Sequence, residues 1–96
     1  MTVNICGLPY TVVEKEDSFN QDLHFGDVDY LKCEIQINKD LTDIGKKETL
    51  CHEIVHAILL HIGRNDLSQD ETLVQSLGNA IFQSFEIKGV SNAQEL

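Results

Sequence analysis

Residues 49–63 read TLCHEIVHAILLHIG, and this stretch decides how the rest of the chain is arranged. It carries His52 and His56 four positions apart, with Glu53 between them, in an otherwise largely apolar segment. At about 100° per residue the two histidines share one helix face, while apolar side chains cover most of the circumference. Gly63 is a suitable residue to end the helix. The pattern therefore predicts a central, buried helix over residues 49–62.

The spacing His-Glu-x-x-His is typical of a zinc site on a helix. Two histidines one turn apart can bind one ion, and Glu53 then lies where a general base is needed. Burial of these three ionisable side chains is costly unless they are paired or bind a metal. The alternative interpretation is a pair of core histidines with satisfied hydrogen bonds and a solvated Glu53.

A catalytic zinc ion usually has three protein ligands, so a third must be found. His61 is a poor candidate, because it is rotated by about 180° from His52 and about 140° from His56. We expect it to interact with the carbonyl groups at the C-terminal end of the helix. The third ligand must then come from another element.

A second amphipathic helix is predicted from residue 68 to about residue 87, where apolar side chains recur at three- and four-residue spacing. A short link would bring its start close to the end of the first helix. Glu71 would then be within reach of the shared metal. Two alternatives remain at this point: Asp70 is the ligand, or Ser68 and Glu71 form a capping box and bind no metal.

The first forty residues have a strand-like pattern. A hairpin is predicted around Gly7-Leu8-Pro9, a loop at residues 17–21, and a second strand pair at residues 24–30 and 33–38. Thr42 or Asp43 can cap the helix that follows. The predicted fold class is α+β, with a small antiparallel sheet followed by two packed helices.

The composition predicts one globular domain over residues 1–90, with a frayed tail at 91–96. The chain has 96 residues, of which 42% are hydrophobic, and no apolar run long enough to span a membrane. The first residues do not resemble a signal peptide, so a cytoplasmic protein is expected. The 3 cysteines include no C-x-x-C pair, which argues against a disulfide framework and a zinc ribbon.

The formal net charge of −9 argues against direct binding of nucleic acid, which requires clustered lysine and arginine. Acidity of this kind usually reflects a solvated surface. A small acidic protein can also imitate nucleic acid and occupy a basic partner, which is a secondary hypothesis here.

Four segments together resemble the gluzincins, the zinc metallopeptidases with a His-Glu-x-x-His motif and a distal glutamate. In particular, the chain is similar to short phage and mobile-element proteins related to the ImmA/IrrE metallopeptidases. The resemblance covers roughly residues 1–87 and implies the zincin-like fold, with zinc bound by His52, His56 and Glu71 and with Glu53 as the base. The segments that carry it are GDVDY at 26–30, EIQIN at 34–38, residues 49–60 and ETLV at 71–74.

The implied activity is hydrolysis of a peptide or protein substrate by a zinc-bound water that Glu53 activates. The substrate is expected to add to the edge of the strand at residues 34–38. Tyr30 and His24 have suitable chemistry to stabilise an oxyanion, but neither is assigned that role. The alternative is a zincin-fold interaction protein that cleaves nothing. Glu53 favours the enzyme, because a purely structural zinc site needs no base.

Overall fold

The computed structural model describes residues 1–16 and 25–87. The described chain forms a four-stranded sheet and three helices. The strands lie in the order β1-β2-β4-β3. Their bounds are Thr2–Ile5 for β1, Leu8–Lys15 for β2, Gly26–Asp29 for β3 and Glu34–Asn38 for β4. The predicted α+β class is confirmed, as are the N-terminal hairpin and the second strand pair.

The hairpin between β1 and β2 turns at Cys6 and Gly7. Both residues have positive φ angles, 52° and 85°, and Ile5 pairs with Leu8. Two consecutive residues in this region form the tight turn that suits the twist of antiparallel strands. The turn therefore lies just before Leu8 and Pro9, which the sequence pattern had included in it and which begin β2.

The sheet is mixed, whereas the sequence pattern predicted a wholly antiparallel sheet. β3 and β4 form an antiparallel pair, but β4 also runs parallel to β2, with Val12 opposite Ile35. β4 is consequently an interior strand, and the predicted addition of a substrate to its edge is wrong because both of its edges are occupied. Among the described strands, β3 lies at the edge of the sheet.

The central helix α1 spans Asp43–His61, so it begins directly after the predicted capping residue Thr42 and six residues before the apolar pattern. The Thr42 hydroxyl caps it by accepting a hydrogen bond from the Gly45 amide at 3.0 Å. The first turns, DIGKKE, are polar and include a glycine, so they carry no apolar periodicity. Gly63 has the positive φ of 84° expected of a residue that ends a helix.

The predicted second helix is divided in two. A short helix, α2, spans Asn65–Ser68, and α3 spans Glu71–Ser84. Asp70 caps α3, because its carboxylate accepts a hydrogen bond from the Leu73 amide at 3.1 Å. The predicted capping box of Ser68 and Glu71 is wrong, since Ser68 belongs to α2 and Glu71 is the first residue of α3.

α1 lies between the sheet and α3. Its Leu50 and Ala57 belong to a core cluster with sheet residues such as Ile35, and its Val55 and Leu59 belong to a second cluster with Val74 of α3. The expectation of a helix buried on most sides is confirmed. No helix in the described part of the chain has the length and apolar character needed to cross a bilayer. The predicted loop at 17–21, His24 and the tail at 91–96 lie outside the described residues, and the single domain over residues 1–90 stays a prediction.

Candidate metal centre

The two motif histidines and Glu71 meet at one point between α1 and α3. The Nε2 atom of His52 lies 3.1 Å from one carboxylate oxygen of Glu71, and Nε2 of His56 lies 3.3 Å from the other. One potential ligand atom from each residue lies within 4.8 Å of those of the other two. The imidazole rings have centroids 4.9 Å apart. Among the described residues, no other group of three His, Cys, Asp or Glu side chains has the spacing of metal ligands.

The distances agree with the donor spacing of a tetrahedral zinc ion. Two donors that are each about 2.0–2.1 Å from a tetrahedral ion lie about 3.3 Å from one another. Both Nε2–carboxylate distances are close to that value. Two imidazole nitrogens and one carboxylate also form a ligand set that leaves a fourth position open in catalytic zinc sites.

The outer nitrogen of His52 is held by Gln75 of α3. Its Nδ1 lies 2.8 Å from Oε1 of Gln75, whose amide nitrogen donates to Asn79 at 3.0 Å. The bond to Asn79 fixes the orientation of the Gln75 amide, so its oxygen faces His52 and accepts a hydrogen bond from the Nδ1–H group. In neutral His52 the lone pair then lies on Nε2.

The outer nitrogen of His56 is held in the same way by Ser68 of α2. Nδ1 of His56 lies 2.9 Å from the Ser68 hydroxyl, which donates to the backbone carbonyl of His56 at 3.5 Å. Ser68 is buried, and its hydroxyl oxygen accepts a hydrogen bond from the Nδ1–H group of His56. The lone pair of His56 therefore also lies on Nε2.

Both Nε2 lone pairs consequently point at a carboxylate. Lone pairs facing an anion repel it unless a cation lies between them or the rings are protonated. Hydrogen bonds at the remote ring nitrogens are also the usual way in which proteins orient histidine ligands. The donor set thus fits a divalent metal ion of the zinc type.

The neighbouring acidic residue, Asp70, is used differently. Its carboxylate caps α3, while that of Glu71 faces the histidines. Of the three alternatives that the sequence left for this pair, the geometry favours Glu71 as the ligand and Asp70 as the cap. The Glu71 side chain remains 68% exposed, which leaves the centre open on one side.

Glu53 lies beside this centre and is only 8% exposed. Burial, together with the negative charges of Asp27 and Glu71, raises the pKa of Glu53 from its usual 4.5 to about 8. The side chain lines the same cavity as His52 and His56. The alternative of a solvated Glu53 is therefore wrong. A bound divalent cation would favour the charged carboxylate and lower this pKa.

The cavity has a volume of about 700 Å³ and lies between α1, β3 and the start of α3. Gly26 allows β3 to approach α1 here, because a Cβ atom at position 26 would lie 2.6 Å from Cγ2 of Thr49 and 2.9 Å from the carbonyl oxygen of Gln36. The same Cβ would lie 3.5 Å from Cγ of Glu53. The edge strand thus runs directly beside the candidate base.

Tyr30 also lines the cavity, just beyond the end of β3. Burial raises the pKa of its hydroxyl above the usual 10.0, although a hydrogen bond with Ser68 opposes the shift. The phenol therefore stays protonated at neutral pH and can donate a hydrogen bond. His24, the other residue with suitable chemistry, lies outside the described residues.

Two further motif neighbours take no part in the centre. His61 lies against the sheet, where its Nε2 contacts the hydroxyl of Tyr10, so the predicted contact with the helix carbonyls is replaced by a tertiary one. The Cys51 thiol is buried in the core, and burial raises its pKa to about 11. A thiol in that environment is inert.

The sequence pattern did not identify Gln75, Ser68 or Tyr30 as part of the site. A signal existed for Gln75, because it follows Glu71 by one helical turn and must share its face. No comparable signal exists for Ser68, which is brought to His56 by the turn through α2. Tyr30 had the right chemistry, but its place beside the cavity depends on the position of β3 in the sheet.

Comparisons with known proteins add no assignment. The chain matches no family model, and neither a curated protein nor a solved structure is significantly similar to it.

Proposed function

We propose that this protein is a zinc-dependent metallopeptidase of the gluzincin type. The observation that carries the proposal is the arrangement of four side chains: His52, His56 and Glu71 converge as a ligand set, and a buried Glu53 lies beside them in one open cavity. A purely structural zinc site would gain nothing from a buried carboxylate that is not a ligand, because that group costs stability.

The chemistry is divided between the metal and the chain. Zinc, when bound, supplies a Lewis acid that polarises a carbonyl and makes water acidic enough to react at neutral pH. Glu53 accepts the proton of the attacking water and delivers it to the leaving amine. Tyr30 donates a hydrogen bond to the carbonyl oxygen as negative charge develops on it.

The substrate adds to the sheet at β3. One edge of this strand pairs with β4, and among the described strands nothing pairs with the other. An extended peptide can bind such an edge through backbone hydrogen bonds. Gly26 and Asp27 of β3 line the cavity together with Glu53, so a peptide bound there would run past the base.

The biological setting follows from the resemblance alone. Similarity to the phage and mobile-element proteins related to ImmA/IrrE supports a cytoplasmic location in a bacterial or phage-infected cell. The alternative is a non-catalytic zincin-fold protein that binds a partner. The effect of a Glu53 substitution on peptidase activity distinguishes the enzyme from this alternative.

The test compares the unmodified protein with Glu53→Gln, both loaded with zinc. Glutamine preserves the size of the side chain but cannot take a proton. We expect Glu53→Gln to keep its zinc and to lose peptidase activity by at least about 10²-fold, the lower end for removal of an acid–base group. Tyr30→Phe should also keep zinc and lower kcat by about 10²-fold, as for loss of one oxyanion donor.

Two results would contradict the proposal. Activity that is unchanged in Glu53→Gln would exclude Glu53 as the base. A zinc-loaded unmodified protein that cleaves no member of a diverse peptide library would favour the non-catalytic alternative.

A further inference from the structure

We propose that the cavity beside the metal centre contains a subsite for a lysine or arginine side chain of the substrate, formed by Asp27 and Glu48. This inference rests on the proposed peptidase function and specifies its substrate class. It makes the enzyme selective for basic peptides.

The charge of the cavity is the first observation. Four carboxylates line it, and no lysine or arginine of the described residues does so. Two of the carboxylates have roles already, since Glu71 faces the histidines and Glu53 is the candidate base. Asp27 and Glu48 are exposed to a ligand that enters the cavity, and no counterion from residues 1–16 or 25–87 pairs with either of them.

The basic side chains of α1 are directed elsewhere. Lys46 pairs with Glu14 at 2.9 Å, and Lys47 lines a separate cavity. Glu48 lies one turn before His52 and so shares its helix face. Among the described residues, neither Asp27 nor Glu48 forms an ion pair.

The buried Glu53 is the second observation. It is more than nine-tenths buried, lines the cavity, and makes no hydrogen bond or ion pair within the described residues. Asp27 is close enough for its charge to act on Glu53. A zinc ion at the histidines would offset the negative charge of Glu71 and Glu53, and the charge of Asp27 and Glu48 would remain for a cationic ligand to offset.

The shape of the wall suits a long side chain with a charged end. Leu41 and Phe25 line the cavity as well, together with Gly45, where a Cβ atom would lie 3.5 Å from Cβ of Leu41. Lysine and arginine have an apolar stem and a charged head. The stem would contact Leu41 and Phe25, and the head would reach Glu48 and Asp27.

A second metal ion is a weaker explanation for the same charge. Within residues 1–16 and 25–87, His52, His56 and Glu71 form the group with metal-ligand spacing, and no such group includes Asp27 or Glu48. Two carboxylates that have no third ligand beside them suit an organic cation, whose charge is spread over several hydrogen-bond donors.

The experiment uses the zinc-loaded protein and peptide libraries in which one position at a time is fixed as lysine, arginine, methionine, glutamine or glutamate. We expect one position at which kcat/KM for lysine or arginine exceeds that for methionine or glutamine by about tenfold or more. Glutamate there should be the poorest residue. Added salt should reduce the preference, because it screens exposed charges.

A binding measurement makes the test independent of turnover. Zinc-loaded Glu53→Gln should bind the lysine peptide more tightly than the matched methionine peptide, as followed by fluorescence anisotropy. Combining Asp27→Asn with Glu48→Gln should remove most of the preference in both assays. The control combines Asp40→Asn with Glu86→Gln, two exposed carboxylates outside this cavity, and removes the same net charge. It should keep the preference.

Equal cleavage and binding of lysine, methionine and glutamine peptides would overturn the subsite while leaving the peptidase intact. The subsite would also be overturned if Asp40→Asn with Glu86→Gln abolished the preference as fully as Asp27→Asn with Glu48→Gln. The net charge of the protein would then be the cause. A zinc-loaded protein that neither binds nor cleaves any peptide would overturn the peptidase proposal, and the subsite with it.

Discussion

Gly78 of α3 lies directly against the backbone of His52 in α1. A Cβ atom at position 78 would be 3.2 Å from both Cα and N of His52. Gln75 and Glu71 lie about one and two turns earlier on the same face of α3, and both contact the His52 ring. The close approach of the two helices at Gly78 therefore brings Glu71, the proposed third ligand, and Gln75 to the histidine.

Gly78→Ala tests this relationship. Alanine favours a helix by about 1 kcal/mol over glycine, but its methyl group would press on the His52 backbone and displace α3. We expect zinc affinity to fall by at least about tenfold, within the range for loss of supporting contacts. Competition titration with a chelator measures it. Ser76→Ala, at an exposed position of α3, is the control and should leave the affinity unchanged.

Gln75 and Ser68 should contribute through the histidine tautomers. Gln75→Ala and Ser68→Ala each remove the acceptor at a histidine Nδ1, and each should weaken zinc binding by about 10- to 100-fold. Gln75→Glu keeps an acceptor and should retain the affinity. Equal affinities of Gln75→Ala and the unmodified protein would show that Gln75 does not orient His52.

The order of helices and strands could largely be predicted from the sequence, but the pairing of strands could not. Alternation of Ile35 and Ile37 with polar residues indicates a strand, yet nothing local to β4 determines that it lies beside β2 in parallel. The parallel pairing of β4 with β2 depends on how the β3–β4 hairpin packs against α1. The start of α1 was indicated only by its capping residue Thr42, since residues 43–48 are mostly polar and lack periodicity.

Glu53 should destabilise the metal-free fold as pH rises. Its pKa is about 8 in the fold and near 4.5 in the unfolded chain. The fold therefore favours the protonated form: its contribution is fully present below pH 4.5 and is lost as pH rises towards 8. In the presence of a chelator, Glu53→Gln should be more stable than the unmodified protein by about 2–4 kcal/mol near pH 8, and by much less near pH 5.

Urea unfolding at the two pH values measures that difference. The comparison with Glu53→Gln isolates one carboxylate from the many others in this acidic chain. A difference that does not grow between pH 5 and pH 8 would contradict a raised pKa at Glu53.

His61 should matter for stability and not for the metal. Tyr10 is fully buried, and its hydroxyl contacts Nε2 of His61 at the far end of α1. His61→Ala leaves that hydroxyl without its partner and should lower the free energy of unfolding by about 1–3 kcal/mol. Its zinc stoichiometry should equal that of the unmodified protein. Loss of zinc from folded His61→Ala would place His61 in the site.

The candidate ligands could be named from the sequence because helical spacing is a local property. His52 and His56 share a face in any helix. A short link between the two helices was enough to bring Glu71 within reach of the same metal ion. The choice between Asp70 and Glu71 could not be made in advance, because both can cap a helix and both can bind zinc. It depends on α2, whose four residues set where α3 begins.

The most direct measurement is a zinc affinity titration of Glu71→Gln and Asp70→Asn beside the unmodified protein, with circular dichroism to verify folding. We predict about one zinc per chain for the unmodified protein. Glu71→Gln should bind zinc at least about tenfold more weakly, because a neutral amide replaces an anionic ligand, whereas Asp70→Asn should retain nearly full affinity. Tight zinc binding by both variants, or loss of zinc by Asp70→Asn alone, would contradict the assignment of His52, His56 and Glu71 as the metal centre.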